Sequence, residues 1–336
     1  MRKTTQKKKW LIPVIIIAVV LIAIFAAYQS MTGPVTLDEA VIVTIEEGAS
    51  TSSIADTLKE AGVIKNTTGF KAYVKKEGLA NKLRTGKYEF SGRITLADVC
   101  QQLLSNNNLS DIKVTIPEGL TMQETAEKFA ASCHITVEDF LNYAQIGDFP
   151  YEYLPPAGTE NRLEGFLFPE TYFVGENATV EDIVDMLLVQ FDSIWTEEYA
   201  QKTAAMNLST SELITMASLV EKEAVIEADR PTIAGVFYNR LGLNMPLQSC
   251  ASIQYLLGEP KEHLLYSDLA IESPYNTYKN TGLPPGPIAS PGLSSIKAAL
   301  YPEDTDYLYF VAKPDKSHYF SKTLAEHNAA KAKYLQ

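Results

Sequence analysis

Cysteine is scarce: Cys100, Cys133 and Cys250 are the only three in 336 residues. They lie far apart and are odd in number, so no disulfide scaffold is coded and at least one thiol stays free. No Cys-x-x-Cys pair occurs. The four histidines, His134, His263, His318 and His327, have no His-Glu-x-x-His or similar spacing. A structural or catalytic zinc is therefore not expected. Gly-x-Ser-x-Gly and Walker-type loops are absent too, which weakens serine-hydrolase and nucleotide readings and leaves no cofactor to expect.

Acidic residues are missing before Asp38. Instead, Arg2, Lys3, Lys7, Lys8 and Lys9 lead into an uncharged run of 19 residues from Trp10 to Tyr28. That length is enough to span a bilayer. The basic flank assigns this end to the cytoplasm and everything after Gln29 to the outside. A cleaved signal peptide is the competing reading. The run is long for a signal core, however, and Ala26-Ala27-Tyr28 is a poor cleavage site. The expectation is a single-pass cell-membrane protein, with tail and transmembrane helix over 1–28 and a polar linker over 29–40.

Setting aside the five basic residues before the run leaves 24 Lys and Arg against 41 Asp and Glu, a net charge of −17. Such a surface suits neither nucleic acid nor anionic lipid headgroups. A neutral or mixed-charge polymer outside the membrane is the better partner. The 46% hydrophobic content is ample for a folded core.

An internal echo organises the first half. Val43-Thr44-Ile45-Glu46-Glu47-Gly48 returns as Val114-Thr115-Ile116-Pro117-Glu118-Gly119. Each copy alternates like a short strand, ends in Gly and precedes an amphipathic helix, at 52–61 and 122–131. A first unit over 41–108 continues with a helix at 70–76, a strand at 86–90 and a helix at 95–105. Asn106, Asn107 and Asn108 then form a polar break. The remainder, 109–336, divides into a second strand–helix unit over 111–160 and a core over 161–336. Helices are expected there at 180–190, 212–224, 231–241 and 324–335, with a buried strand at 308–312. The fold class is α+β. Between Glu272 and Gly292, Pro274, Pro284, Pro285, Pro287 and Pro291 forbid regular structure. Long stiff loops of this kind are often functional. Tyr275, Asn276, Thr277 and Tyr278 give this one rings and amides that suit a sugar.

The densest chemistry lies between Leu213 and Arg240, LITMASLVEKEAVIEADRPTIAGVFYNR. Ser209 followed by Glu212 is a capping-box signal, and Leu213, Ile214, Met216, Ala217 and Val220 recur at helical spacing. Glu221 falls on the same small, apolar strip. A carboxylate there is partly desolvated, which disfavours its charged form, as an acid catalyst requires. Glu223, about 200° further round, points nearly the opposite way. The competing reading is a surface helix with solvated Glu and Lys.

Several segments then form an ordered set: LEGFLFPETY at 163–172, ASLVEKEA at 217–224, VFYNRL at 236–241, MPLQS at 245–249, SPYNTY at 273–278, GLPPGPIASPG at 282–292 and HYFSKTLAEHN at 318–328. In these motifs the chain resembles the MltG family, also called YceG-like: membrane-anchored endolytic murein transglycosylases. The resemblance implies a small LysM-like α/β unit after the transmembrane helix, then a mixed α+β catalytic domain. It implies a lyase that cuts the MurNAc–GlcNAc bond in nascent peptidoglycan glycan strands and leaves 1,6-anhydro-MurNAc ends. Peptidoglycan synthases and division or elongation proteins are the implied partners, beside the cytoplasmic membrane itself. The family's catalytic glutamate maps to Glu221. Glu164, Gln248, Ser249, Tyr275, Asn276 and Tyr278 are the expected substrate contacts. One departure is Cys250, where many members carry Asp. Two alternatives stay open. One is a two-carboxylate muramidase, with Glu164, Glu170 or Glu223 as the second acid. The other is a non-catalytic peptidoglycan-binding scaffold.

Overall fold

The computed structural model describes residues 31–46, 48–105, 111–258, 261 and 263–335. The expected membrane helix at 1–28 and the polar break at 106–108 lie outside them. Among the described residues no helix is long and apolar enough to cross a membrane. The chain divides into two compact units, one up to Ile112 and one from Lys113 onward.

In the first unit, β1 (Val35–Ile45) and β2 (Gly86–Ile94) pair antiparallel, with Val43 opposite Tyr88. Alternation puts Val43, Ile45, Tyr88 and Phe90 on one buried face while Ile42 points into solvent. α1 (Thr51–Glu60), α2 (Thr67–Lys76) and α3 (Leu96–Leu104) bring Ile54, Leu58, Phe70, Val74, Val99 and Leu103 to the same core. Each such side chain contributes about 1.5–3 kcal/mol on burial. Local chemistry sets the helix starts. Ser50 Oγ accepts from Ser53 N–H, Asn66 Oδ1 from Thr68 and Gly69, and Thr95 and Asp98 form a reciprocal box.

The expected linker needs correction here. From Val35 onward it is strand, and Val35 and Leu37 pack against the core. Asp38 and Glu39 disguise the alternation. A register shift between Leu37 and Val41 carries them into solvent.

The second unit begins within β3 (Ile112–Thr115) and continues with α4 (Met122–Ala130) and α5 (Val137–Ile146). β4 (Thr171–Val174) lies beside β3 and is followed by α6 (Val180–Ile194) and α7 (Glu197–Ala205). Then come α8 (Thr210–Glu223), a 3₁₀ turn (Glu227–Asp229), α9 (Arg230–Gly242), α10 (Cys250–Leu257), the short α11 (Tyr266–Leu269) and α12 (Leu293–Leu300). β5 (Tyr309–Ala312) and β6 (His318–Ser321) pair antiparallel beneath α13 (Leu324–Tyr334). The described residues thus form a mixed α+β fold of 13 helices and three two-stranded sheets. The strand expected to be buried at 308–312 buries only Val311, because a two-stranded sheet has no second layer to cover both faces.

α8 is the centre of this unit. The capping box forms: Ser209 N and Oγ both donate to Glu212 Oε2 at 2.8 Å, and Glu212 N–H returns to Ser209 Oγ at 3.2 Å. Every residue from Leu213 to Val220 is buried, with α9 and α12 packed against the helix, so it is no surface helix. The proline-rich segment runs along it without regular structure. Ile288 N–H donates to Ser218 Oγ at 3.1 Å. Ser290 gives its N–H to Leu120 O and takes the N–H of Gly119, each at 2.8 Å. Gly165, at φ 85°, allows the LEGF turn to close on this segment, since a side chain there would run into Pro287 and Ile214.

Candidate active site

Ala224 is already extended (φ −84°, ψ 118°), so Glu221 occupies the last turn of α8. Its side chain is 7% exposed. The carboxyl does not meet apolar groups, as the helical strip led us to expect. Oε1 pairs with Arg230 Nη2 at 3.0 Å, and Oε2 accepts the Gly292 N–H at 3.0 Å. Gly292 is the N-cap of α12, so this donor belongs to the positive end of a helix.

Arg230 opens α9 and is itself held, its Nε donating to Ser295 Oγ at 2.9 Å. The same Nη2 lies 3.9 Å from Glu118 Oε2. Glu118 comes from the turn between β3 and α4. Burial holds its carboxyl above the ordinary range, the Glu221 charge adds to this, and Arg230 offsets part of it. Gly119, at φ 78°, rests against Glu221 Cγ, and its carbonyl accepts from Lys222 Nζ at 3.0 Å. Glu118 and Arg230 escaped the sequence reading. The internal echo marked Glu118 as the end of a strand. Nothing local announces that Ser290 will pair with Gly119 and Leu120 and bring that strand end to α8.

Glu223 faces a different environment, as its angle on the helix requires. Ser249 Oγ donates to its Oε1 at 2.5 Å, and burial raises its carboxyl despite that bond and one from Ala251 N–H. It therefore anchors the start of α10. Ser249 is buried and committed to this anchor, its own N–H donating to Thr277 Oγ1 at 3.0 Å. Gln248 stays exposed in a left-handed conformation (φ 50°), its N–H bonded to Thr277 O. Tyr278 is half-buried, with its OH 3.0 Å from Sγ of the exposed Cys250.

Asn276 corrects an expectation. It is fully buried, its amide donates to Leu269 O and Ile271 O at 3.1 and 2.7 Å, and its Oδ1 accepts from Tyr278 N–H. These bonds tie the loop together and leave its amide hydrogens no role toward a sugar.

Glu164 lines a cavity of about 790 Å³ with Gln123, Asn161, Lys222, Gln254 and Tyr255. Its Oε1 accepts from Met122 N–H at 3.0 Å and its Oε2 from Tyr255 OH at 3.4 Å. Burial pushes its carboxyl up to about 8. Tyr275 packs on Tyr255 with ring centroids 5.3 Å apart. Glu170 is exposed and accepts from the neighbouring Thr171 N–H. No group of His, Cys, Asp and Glu among the described residues could hold a metal ion.

Comparison with known proteins places this arrangement. The model of the YceG-like family matches residues 43–333. The endolytic murein transglycosylase of Bacillus subtilis is 40% identical over 322 residues, covering 91% of this chain and 89% of that protein. The endolytic murein transglycosylase of Streptococcus pneumoniae D39 is 35% identical over 326 residues. That match takes in 88% of this chain and 58% of the longer relative. A crystal structure of a YceG-like protein from Listeria monocytogenes superposes with a TM-score of 0.61 at 36% identity, covering 87% of this chain and 99% of that one. Identity at this level over nearly the whole length, with the motifs disposed around one central helix, means that the chain belongs to the YceG-like family.

Proposed function

We propose that this chain is an endolytic murein transglycosylase, a lyase that cleaves MurNAc–GlcNAc linkages within peptidoglycan glycan strands, with Glu221 as its acid and base. The observation that carries the assignment is the fixed, nearly buried Glu221 carboxyl at the end of α8, held by Arg230 and the Gly292 N–H. Protonated, Glu221 gives its proton to the bridging oxygen as the C1–O bond breaks, and C1 gains oxocarbenium character. The C6 hydroxyl of the same MurNAc closes on C1, and its proton passes to Glu221. One C–O bond is exchanged for another and no water is consumed. The guanidinium and the N–H stabilise the carboxylate between the two transfers.

The half-buried rings of Tyr275 and Tyr278 and the exposed Gln248 are suited to contact the glycan. So is the Glu164 cavity, where a carboxyl protonated at neutral pH can donate a hydrogen bond. The basic flank and the apolar run at 10–28 support a single membrane anchor, with the rest of the chain outside the cytoplasm near nascent strands. The strand–helix unit before Ile112 is the candidate LysM-like module. Synthases or division and elongation proteins are the candidate partners at that location. End analysis of digested sacculi tests the reaction. Anhydro ends are expected. Free reducing ends would make the enzyme a hydrolase, which the nearby Glu118 carboxylate would favour, and no new ends would make it a scaffold.

A further inference from the structure

Most polar side chains around the Glu164 cavity are committed to the protein. Asn161 Nδ2 donates to Tyr255 OH at 3.0 Å, Gln123 Nε2 to Glu127 Oε1 at 2.7 Å, and Lys222 Nζ to Gly119 O at 3.0 Å. Both ends of the Gln254 amide bond Lys261, Nε2 with its carbonyl at 2.7 Å and Oε1 with its N–H at 2.8 Å. Tyr255 differs, and Glu164 is the reason. Oε1 of Glu164 takes the Met122 N–H, so a proton on this carboxyl belongs on Oε2, 3.4 Å from the Tyr255 oxygen. That proton is held at neutral pH, since burial pushes the carboxyl up to about 8. A phenol oxygen accepts as well as donates. With Asn161 and protonated Glu164 both donating to it, the hydrogen of Tyr255 itself turns to the cavity.

We propose that Tyr255 is the residue by which this cavity recognises an uncharged N-acetylated hexosamine of the strand, its hydroxyl hydrogen donating to the acetamido carbonyl. The inference takes its glycan substrate from the function proposed above, and not the acid that cleaves it. Three features select this ligand beside the donor. Leu141, Leu256 and Ile288 give the acetyl methyl an apolar wall. Glu124, Glu127 and Glu160 line the same cavity and repel a sugar that carries a carboxylate. The volume of about 790 Å³ falls in the range that encloses a drug-sized ligand, and a disaccharide is of that size.

Ionised, Glu164 draws the Tyr255 hydrogen back to Oε2 in a charge-assisted bond, and the cavity loses its donor. Tyr255 itself stays protonated, because burial, then the charges of Glu164, Tyr275 and Glu160, hold its hydroxyl above the ordinary range. The remaining charges have partners. Glu124, whose charge adds to the rise at Glu164, closes the Thr121 cap. Glu127 takes the Gln123 amide, and Lys222 turns to Gly119 O.

The test is calorimetric titration of the full chain with the tetramer of N-acetylglucosamine, beside the same tetramer deacetylated and cationic. Cleavage of isolated glycan strands is measured on the same samples. The acetylated tetramer is expected to bind and the deacetylated one to bind more weakly. Tyr255→Phe, which keeps the ring on Tyr275, is expected to bind the acetylated tetramer about fivefold more weakly than the neutral-pH parent at every pH. The parent is expected to lose about the same factor between about pH 6.5 and about pH 9.5. Glu164→Gln donates to Tyr255 through its amide whatever the pH, so it should lose that pH dependence and bind throughout about as the parent does at neutral pH. A merely structural role for Glu164 would not separate affinity from its pH dependence in this way. The proposal is overturned if the parent does not bind the acetylated tetramer, or binds the deacetylated one as well or better. It is overturned too if Tyr255→Phe binds as the parent does, or if Glu164→Gln keeps the pH dependence. A parent that cleaves no strands strikes the proposed function. Strand cleavage together with any of the overturning results strikes only the role of Tyr255.

Discussion

The two copies of the strand–Gly–helix echo start alike and end differently. In the first, β1 runs into Gly48, which lies in open space at φ 73°, and α1 begins at a simple Ser50 cap. In the second, β3 leads to Glu118 and to Gly119 at φ 78°, and there the open space is gone. Glu221 and Lys222 stand within van der Waals reach of where a Gly119 side chain would begin, Ser290 clasps its main chain, and Glu118 lies against Gly292. The helix that follows is held more firmly as well. Thr121 and Glu124 form a capping box, and Glu164 accepts the Met122 N–H. One local grammar thus yields a plain turn in one place and a wall of the candidate site in the other. The difference lies in what the rest of the chain brings against the turn.

The contrast breaks first if the residue facing the second copy does no chemistry. Glu221→Gln is nearly isosteric and cannot donate an acidic proton. General acid–base catalysis is worth about 10²–10⁴-fold, so at least a hundredfold loss of anhydro-end formation is expected with melting unchanged. Residual turnover above roughly a tenth of the parent would remove Glu221 from the role.

Next in size is the clamp that holds the second copy. Asn276→Ala deletes two buried donors and one acceptor in the loop that ends at Ser290 and Gly292, leaving Leu269 O and Ile271 O unpaired. A loss of roughly 3 kcal/mol in unfolding free energy is expected, with little change in the specific activity of the folded fraction. Turnover lost at unchanged melting would instead put Asn276 in glycan contact.

Much of the scaffold was legible in the sequence. The capping box at Ser209, the helices around 180–190 and 231–241 and the irregular proline segment follow from periods of 3.6, from cap residues and from proline's missing N–H. The opposite facing of Glu221 and Glu223 was legible on the same grounds. What was hidden depends on distant pairs. Glu118 reaches Glu221 only through Ser290, and Asn276 looks like a sugar-binding amide until Leu269 and Ile271 claim it. The early start of β1 was hidden because Asp38 and Glu39 sit at its bulge.

A pH dependence separates the two helix starts. Glu164 is raised from an ordinary 4.5 to about 8 by burial, so the folded state keeps a proton that the unfolded state releases. Its contribution is fully present below about 4.5 and is lost as pH rises through about 8, at about 1.4 kcal/mol per pH unit between them. The second unit should therefore weaken from pH 5 to 8 in denaturant titrations. Glu164→Gln keeps a carbonyl for the Met122 N–H and turns the contact with Tyr255 OH into a donation from its amide, and it should flatten that slope. A slope that survives in Glu164→Gln would assign the dependence to another group.

The smallest expected effect addresses the two glycines directly. Gly48→Ala and Gly119→Ala each force an alanine to positive φ, which costs about 1–2 kcal/mol. Neither Cβ meets a hard clash: Gly48 has nothing within 4 Å, and at Gly119 the nearest atoms, Glu221 Cγ and Lys222 Cδ, are 3.7 Å away. The stability losses should therefore be similar. The activities should not. Relief of strain at Gly119 shifts the main chain that Ser290 holds and moves the adjoining Glu118 against Arg230, so glycan cleavage should fall a few-fold, whereas Gly48→Ala should cleave as the parent does. Equal activity in the two variants at equal stability would mean that the second copy is only a scaffold, as the first is.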